Sequence, residues 1–239
     1  MSLYREVAVV LRTYKLAESD RIVVLLTRDK GKVRAVAKGV RRTGSKFGSR
    51  LEPGSYVQVQ LRESRGDLEL VTQAETVTVH PQTRSDLSRL GHSAALLEAV
   101  DQLSQVGKAD PRLHDMVVGG LQVIEDRNPP LVVAAFYLRL LAHDGVAPEL
   151  DRCVGCGEDT GRLYWAPDAG GVRCGPCGGG RAVSPESMSV VRASLGGGLN
   201  AVLDLPASPK TNDVESIASE MLELHIERRL KAIRVLHDS

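Results

Sequence analysis

Apolar and polar positions alternate with a period of two through most of the first eighty residues. Val7, Val9 and Leu11 show the pattern, which recurs at 33–37, 56–61 and 68–79 around a β-branched run at 22–26. Glycines in short polar segments, such as Gly31, provide turns between these runs. Five short antiparallel strands in about eighty residues predict a small Greek-key barrel, and the OB-fold is the five-stranded version that binds nucleic acid.

Helical spacing replaces this alternation from Ser85 onward. Asp110 precedes a proline and predicts a helix start, and residues 131–142 are apolar almost all round, which is typical of a buried helix. Ser184 starts another helix, and Asn212 is predicted to cap the last one. The sequence thus predicts an α+β protein. We expect an OB-fold domain at 1–80 and a helical domain at 81–239, with an insert at 150–183.

The formal charge of +1 hides a strong asymmetry along the chain. Residues 1–80 hold 15 basic and 9 acidic side chains, and residues 28–50 hold nine basic side chains with a single acid, Asp29. Such an excess is self-repelling unless an anion lies opposite it. Nucleic acid is the favoured partner, with anionic lipid or a solvated loop without any partner as alternatives.

All four cysteines lie in two C-x2-C pairs: Cys153 with Cys156, and Cys174 with Cys177. Two such pairs separated by seventeen residues are typical of a tetrahedral zinc site with four protein ligands. We therefore expect one structural Zn²⁺ that stabilises the fold and has no position for a catalytic water. Disulfides, a redox pair or an iron–sulfur cluster are the alternatives for the same residues.

Motifs for enzymatic chemistry are missing from the sequence. Gly31-Lys32 lacks the remainder of a phosphate-binding loop, the six histidines form no HExxH pair, and there is no G-x-S-x-G elbow. The sequence also has no long apolar run and no signal-peptide pattern. It therefore predicts a non-enzymatic, cytoplasmic protein that does not enter a membrane.

Several blocks of residues together resemble the RecO family of bacterial recombination mediators. These are KLAESDRIVV at 15–24, GKVRAVAKGVRR at 31–42, SKF at 45–47 and LEP at 51–53. The four cysteines make the chain similar to actinobacterial members. The likeness is close in the barrel and rests on layout and cysteine spacing in the helical part.

The resemblance implies an N-terminal OB-fold, a helical domain with a zinc insert, and a role in recombinational DNA repair. It also implies binding of single- and double-stranded DNA, annealing of complementary strands, and action with the single-strand-binding protein and RecR so that RecA can be loaded. The alternatives are a zinc-containing transcription regulator and an RNA-binding OB protein. A zinc hydrolase is a third option, which would need an open coordination position.

Aromatic residues make up only 3% of the chain, so we expect DNA to be held mainly through its phosphates and with weak sequence preference. Phe47, within the basic segment, is the predicted base-stacking residue. Arg21 could contact phosphate or pair with Asp20. The predicted phosphate contacts are Lys30, Lys32, Arg34, Lys38, Arg41, Arg42, Lys46 and Arg50.

The tail of the single-strand-binding protein is acidic and apolar in bacteria generally, so its binding site should contain cations. Candidates on the predicted last helix are Arg228, Arg229, Lys231 and Arg234. An ordinary surface pair between Glu227 and Lys231 is the competing interpretation.

Overall fold

The computed structural model describes residues 2–159 and 163–232, which form two compact units. The first unit contains residues 2–126 together with 231–232, and the second contains residues 127–230. The first three helices therefore belong to the same unit as the barrel. The predicted domain boundary after residue 80 stays a prediction.

Five strands form a closed barrel with the order β1-β2-β3-β5-β4. Neighbouring strands are antiparallel except β3 and β5, which are parallel. This five-stranded closed barrel confirms the predicted OB-fold. The strands are β1 (Leu3–Lys15), β2 (Arg21–Thr27), β3 (Gly31–Ala37), β4 (Tyr56–Arg62) and β5 (Glu69–Thr78).

β1 closes the barrel because it pairs with two strands. Its first part pairs with β4 and its second part with β2, and the register shifts between Val10 and Arg12. Ala8 and Val10 point into the barrel core, whereas Val9 is buried outside the core cluster. β1 is therefore covered on both faces over this stretch, and α2 and α3 pack against it from outside.

Three helices complete the first unit: α1 (Pro81–Ser85), α2 (Leu87–Leu103) and α3 (Pro111–Asp126). The Asp110 carboxylate accepts the backbone N–H of Leu113 at 2.9 Å, which confirms the predicted start of α3. A 3-10 turn at Gly48–Leu51 lies within the otherwise irregular segment between β3 and β4.

The second unit is built around α4 (Val132–His143), which is buried on most faces as predicted. It packs against α5 (Pro185–Leu195), α6 (Leu199–Leu203) and α7 (Pro209–His225). Among the described residues, no helix is long and apolar enough to cross a membrane.

The last of these helices differs from the prediction at both ends. Ser208, rather than Asn212, caps α7, because its side chain and Thr211 form a reciprocal capping box ahead of Pro209. α7 ends at His225, and Glu227 takes a left-handed conformation with φ of 51°. Arg228 and Arg229 therefore follow α7 instead of lying on it.

The predicted insert breaks the helical layer with a small sheet of order β7-β6-β8. Its strands are β6 (Leu163–Ala166), β7 (Gly171–Cys174) and β8 (Arg181–Ala182). Trp165 on β6 is fully buried, and its indole N–H donates to the Glu220 carboxylate of α7 at 2.7 Å. This contact attaches the insert to the helices of the second unit.

Candidate nucleic-acid interface and metal centre

The basic segment of the sequence is divided by β3 into two separate groups. Gly31 and Ala37 stand at the two ends of this strand, and at about 3.3 Å per residue their Cα atoms lie about 20 Å apart. Arg28 and Lys30 precede β3, whereas residues 38–50, called the basic loop below, follow it. The nine cations therefore do not form one patch.

Near the start of β3, two of the cations are neutralised by carboxylates. Arg28 pairs with Asp115 of α3 at 3.2 Å. Lys32, with a side chain only 13% exposed, donates to the Asp101 main-chain oxygen at 2.6 Å and to its carboxylate at 3.3 Å. The ammonium group of Lys32 holds α2 against the barrel, so these contacts disfavour the prediction of Lys32 as a phosphate contact.

Lys30 is exposed, and its ammonium group lies 4.7 Å from the centre of the Tyr4 ring. Tyr4 in turn donates its hydroxyl to Glu69 at 2.6 Å. Burial, together with this hydrogen bond to a carboxylate, raises the pKa of Tyr4. Lys30 thus lies over an aromatic face at the end of the barrel away from the basic loop.

The turn that begins the basic loop is fixed by the β1–β2 hairpin. The Asp20 carboxylate accepts the backbone N–H of Gly39 at 2.8 Å, and Arg41 donates its backbone N–H to Ser19 at 3.0 Å. The Arg41 guanidinium also donates to the Glu18 carbonyl at 3.0 Å. The Gly39 hydrogen bond is the main cause of the lowered pKa of Asp20.

Arg21 lies at the start of β2 and has a different partner from the one considered in the sequence. Its guanidinium donates to both carboxylate oxygens of Glu52, at 3.0 and 3.2 Å, and not to Asp20. Glu52 follows the 3-10 turn at the end of the basic loop. This pair therefore ties the end of the loop to the barrel.

Phe47 is buried, with 1% of its surface exposed, among the residues of the barrel core. The prediction that its ring stacks on DNA bases is wrong, since stacking needs an exposed ring. Burying a phenylalanine stabilises a fold by about 2–3 kcal/mol, which explains why the ring packs inward from a loop that has no periodicity. Its neighbour Lys46 remains exposed, with the ammonium group 5.1 Å from the ring centre.

The remaining predicted contacts near the end of β3 are all exposed. Lys46 donates to the Thr72 carbonyl at 2.8 Å, and Arg50 donates to two main-chain carbonyls of its own loop. Hydrogen bonds to carbonyls orient these cations without neutralising their charge. The exposed cations are Arg34, Lys38, Arg41, Arg42, Lys46 and Arg50.

The four cysteines of the insert converge on one point, and their sulfur atoms all lie within 4.8 Å of one another. Cys156 and Cys174 sulfurs are 3.8 Å apart. A tetrahedral site with Zn–S bonds of about 2.3 Å has sulfur atoms about 3.8 Å apart, whereas a disulfide needs about 2.05 Å. The geometry fits a metal ion, and none of the four cysteines forms a disulfide.

Backbone N–H groups point at the cysteine sulfurs. Cys153 accepts the N–H groups of Cys174 at 3.3 Å and of Gly155 at 3.4 Å. The Cys174 N–H is the main cause that lowers the pKa of Cys153 to about 6. Gly157 and Gly178, which follow the two pairs, have φ of 77° and 101°, so each turn uses the conformational freedom of glycine.

Each thiol also affects the ionisation of the other three. Hydrogen bonds that the Cys177 thiol donates to Cys174 and to the other two sulfurs raise the pKa of Cys177 to about 12. Four sulfurs at this distance cannot all ionise without a cation among them. The arrangement of the four sulfurs therefore suits a positive ion among them.

The candidate residues for binding the tail of the single-strand-binding protein are divided between the two units. Arg228 and Arg229 are exposed in the second unit. Lys231 belongs to the first unit, where its backbone N–H donates to the Glu98 carboxylate at 3.0 Å. Arg234 lies outside the described residues.

A closed five-stranded barrel with exposed cations at one end, in a chain that also has a cluster of four cysteines able to hold a metal ion, defines an OB-fold protein of the nucleic-acid-binding type. Residues 1–80 match the family described as "Recombination protein O N terminal", and residues 84–234 match "Recombination protein O C terminal". The chain belongs to the RecO family of DNA repair proteins.

Curated relatives cover the chain from end to end. A protein from Nocardioides sp. called "DNA repair protein RecO" is 40% identical to this chain, over 97% of the chain and 98% of the relative. The one in Frankia casuarinae is 40% identical over 99% of both chains. The relative in Streptomyces griseus is 38% identical over 98% of both chains. These actinobacterial relatives agree with the resemblance seen in the sequence.

Proposed function

We propose that this protein is a non-enzymatic recombination mediator of the bacterial cytoplasm. It binds single- and double-stranded DNA mainly through phosphates and anneals complementary strands that are coated by single-strand-binding protein. With RecR, it promotes the loading of RecA. The observation that carries the proposal is the set of exposed cations along and beyond β3.

The electrostatics of the basic loop support phosphate binding. Asp20 and Glu52 hold the two ends of the loop, so the cations between them are ordered before DNA arrives. Preordered side chains lose less conformational entropy on binding. Guanidinium groups such as that of Arg42 also match the geometry of phosphate oxygens.

The salt dependence of DNA binding tests this proposal. If five or six phosphates are neutralised, log K should fall with log[salt] with a slope of about −4 to −5 on duplex DNA. Substitution of Arg41 and Arg42 by Ala should weaken binding to all sequences alike and make the slope about 1.8 less steep.

A matched control removes the same number of positive charges from another part of the protein. Arg112 and Arg139 are exposed and lie on α3 and α4, so their double Ala variant should keep the slope of the wild type. Equal slopes for the wild type and the Arg41/Arg42 variant would contradict the proposed interface. A change in sequence preference would indicate base reading, as in a transcription regulator.

Annealing follows from the same charges. Two strands repel each other through their phosphates, and a cationic surface that contacts both reduces that repulsion without a nucleotide cofactor. We expect annealing of strands coated by single-strand-binding protein to proceed without ATP and to slow in the Arg41/Arg42 variant. Annealing that requires ATP hydrolysis would contradict this mechanism.

We further propose that the four cysteines hold one structural Zn²⁺. Four sulfur ligands in this spacing favour zinc, and four protein ligands leave no position for a reactive water. The ion supplies cohesion between the two cysteine loops, and it takes no part in a reaction.

Binding of the single-strand-binding protein tail is proposed for the cations after α7. Arg228 and Arg229 are exposed, and guanidinium groups bind the carboxylates of an acidic peptide as well as they bind phosphates. Titration of the tail peptide into an Arg228/Arg229 double Ala variant should show weakened binding. Unchanged affinity would exclude these two residues, and Lys231 and Arg234 would then be substituted in turn.

A further inference from the structure

A row of apolar side chains crosses four strands of the barrel. The paired positions are Tyr14 with Ile22, Ile22 with Val36, and Val36 with Leu70. Residues paired directly across neighbouring strands, antiparallel or parallel, lie on the same face of a sheet. These four residues, called the outer row below, therefore share one face of β1, β2, β3 and β5.

The outer row faces away from the barrel core. The adjacent residues Val23, Ala35 and Val71 belong to the core cluster, and successive side chains alternate between faces. Ile22, Val36 and Leu70 are half-buried, and Tyr14 is 39% exposed. An accessible apolar strip with an aromatic ring at one end thus lies on the outside of the barrel.

The ring of Tyr14 is held in place by a neighbour. The Arg12 guanidinium lies 4.7 Å from the ring centre, and its Nε donates to the buried carboxylate of Asp101 at 2.7 Å. A ring fixed in this way needs little ordering when a ligand stacks on it.

Cations flank the outer row. Arg34 is on the same outward face, two residues before Val36, and Lys38 follows two residues after it. Both are exposed. The strip therefore offers an apolar surface with positive charge beside it, which suits a ligand that has flat apolar groups on an anionic backbone.

We propose that Tyr14 and the outer row contact the bases of single-stranded DNA while the neighbouring cations contact its phosphates. The inference rests on the proposed DNA-binding function and adds the source of a preference for single strands. In a duplex the bases are already stacked on each other, so Tyr14 can gain a contact only with unpaired bases. The contacts between cations and phosphates still supply most of the affinity for DNA.

Three probes of equal length separate the contributions: an oligothymidylate, a strand of abasic sugar phosphates, and a duplex. Alanine substitution of a stacking residue costs on the order of tenfold in affinity for each stacked base. Tyr14→Ala should therefore weaken oligothymidylate binding about tenfold and leave abasic and duplex binding within about twofold of the wild type. Tyr14→Phe should bind all three probes like the wild type.

Val77→Ala is the matched control, because Val77 is 49% exposed on β5 outside the outer row. It should leave all three affinities unchanged. If Tyr14→Ala binds oligothymidylate as the wild type does, or loses affinity equally for the abasic strand, the inference is overturned. Failure of the wild type to bind any probe would instead overturn the proposed function.

A second variant covers the case in which Tyr14→Ala does not fold. The chain has one tryptophan, Trp165, which is fully buried. Tyr14→Trp adds an exposed indole, and we expect oligothymidylate to quench the added fluorescence while the abasic strand does not. Equal emission with both probes would contradict base contact at this position.

Discussion

The carboxylate of Asp20 accepts the backbone N–H of Gly39 at a distance of 2.8 Å. This hydrogen bond joins two blocks that are nearly twenty residues apart in sequence, the hairpin after β1 and the turn after β3. Both blocks are among those in which the sequence resembles the RecO family. Asp20 is therefore a positioning residue for the cations of the basic loop.

Asp20→Ala should weaken DNA binding about fivefold, because the turn at Gly39 loses its acceptor and the loop must be ordered on binding. Removing an acid near DNA would strengthen binding if charge alone mattered, so the direction of the change is diagnostic. Fluorescence anisotropy measures it. Asp67→Ala, an exposed acid elsewhere in the barrel unit, is the control and should bind as tightly as the wild type or more tightly. Stronger binding by Asp20→Ala would contradict the positioning role.

Lys32 and Lys38 should respond in opposite ways to substitution by Ala. Lys32→Ala leaves the buried Asp101 carboxylate with one partner fewer and should lower the free energy of unfolding by about 2 kcal/mol, with an unchanged salt slope. Lys38→Ala should leave stability unchanged and weaken DNA binding. Urea denaturation and anisotropy on both variants test this, and a stable Lys32→Ala protein with a flattened salt slope would restore Lys32 as a DNA contact.

Cys174→Ser should abolish metal binding, since Cys174 is buried and supplies one of the four clustered sulfurs. We expect about one zinc per chain in the wild type and almost none in the variant, with a lower melting temperature. Elemental analysis and thermal denaturation measure both. Val154→Ala lies in the same loop and is 37% exposed, so it should retain the metal. Full zinc content in Cys174→Ser would contradict the four-ligand site.

Glu125 should make stability depend on pH. Burial tends to raise its pKa, but the N–H groups of Thr83 and Gln82, at 2.8 and 2.9 Å, outweigh that effect, and the pKa lies below its usual 4.5. A lowered pKa in the folded state stabilises the protein above about pH 4.5, and this stabilisation is lost as the pH falls through the folded-state pKa. Glu125→Gln should therefore be less stable than the wild type near pH 7, and the difference should shrink as the pH falls below 4.5 and through the folded-state pKa.

Denaturation by urea across this pH range measures the effect. Asp126→Asn removes an exposed charge on the next residue and should show the pH dependence of the wild type. A constant difference between Glu125→Gln and the wild type at every pH would exclude titration of this group as the cause.

The barrel and the metal centre were predictable because each depends on a regular sequence signal. Strand alternation, proline after an N-cap, and cysteine spacing all have local physical causes. The capping of α7 was harder to predict: Asn212 has the right chemistry, but Ser208 lies directly before Pro209 and forms the capping box with Thr211. Local preference alone does not choose between two nearby caps.

The binding surface was less predictable, because it depends on which way side chains face. Ala8 and Val10 point into the barrel, and strict alternation would place Tyr14 inside as well. The register shift between Val10 and Arg12 reverses the faces and brings Tyr14 outside. Phe47 shows the converse case, since a loop residue filled space in the core that no sequence period could indicate.

The double pairing of β1 has a further consequence for how the protein meets other molecules. Since β1 hydrogen-bonds to β2 along one part and to β4 along the other, the barrel within residues 2–159 has no open edge strand. A closed sheet offers little unpaired strand edge, so self-association by addition of a strand is disfavoured there.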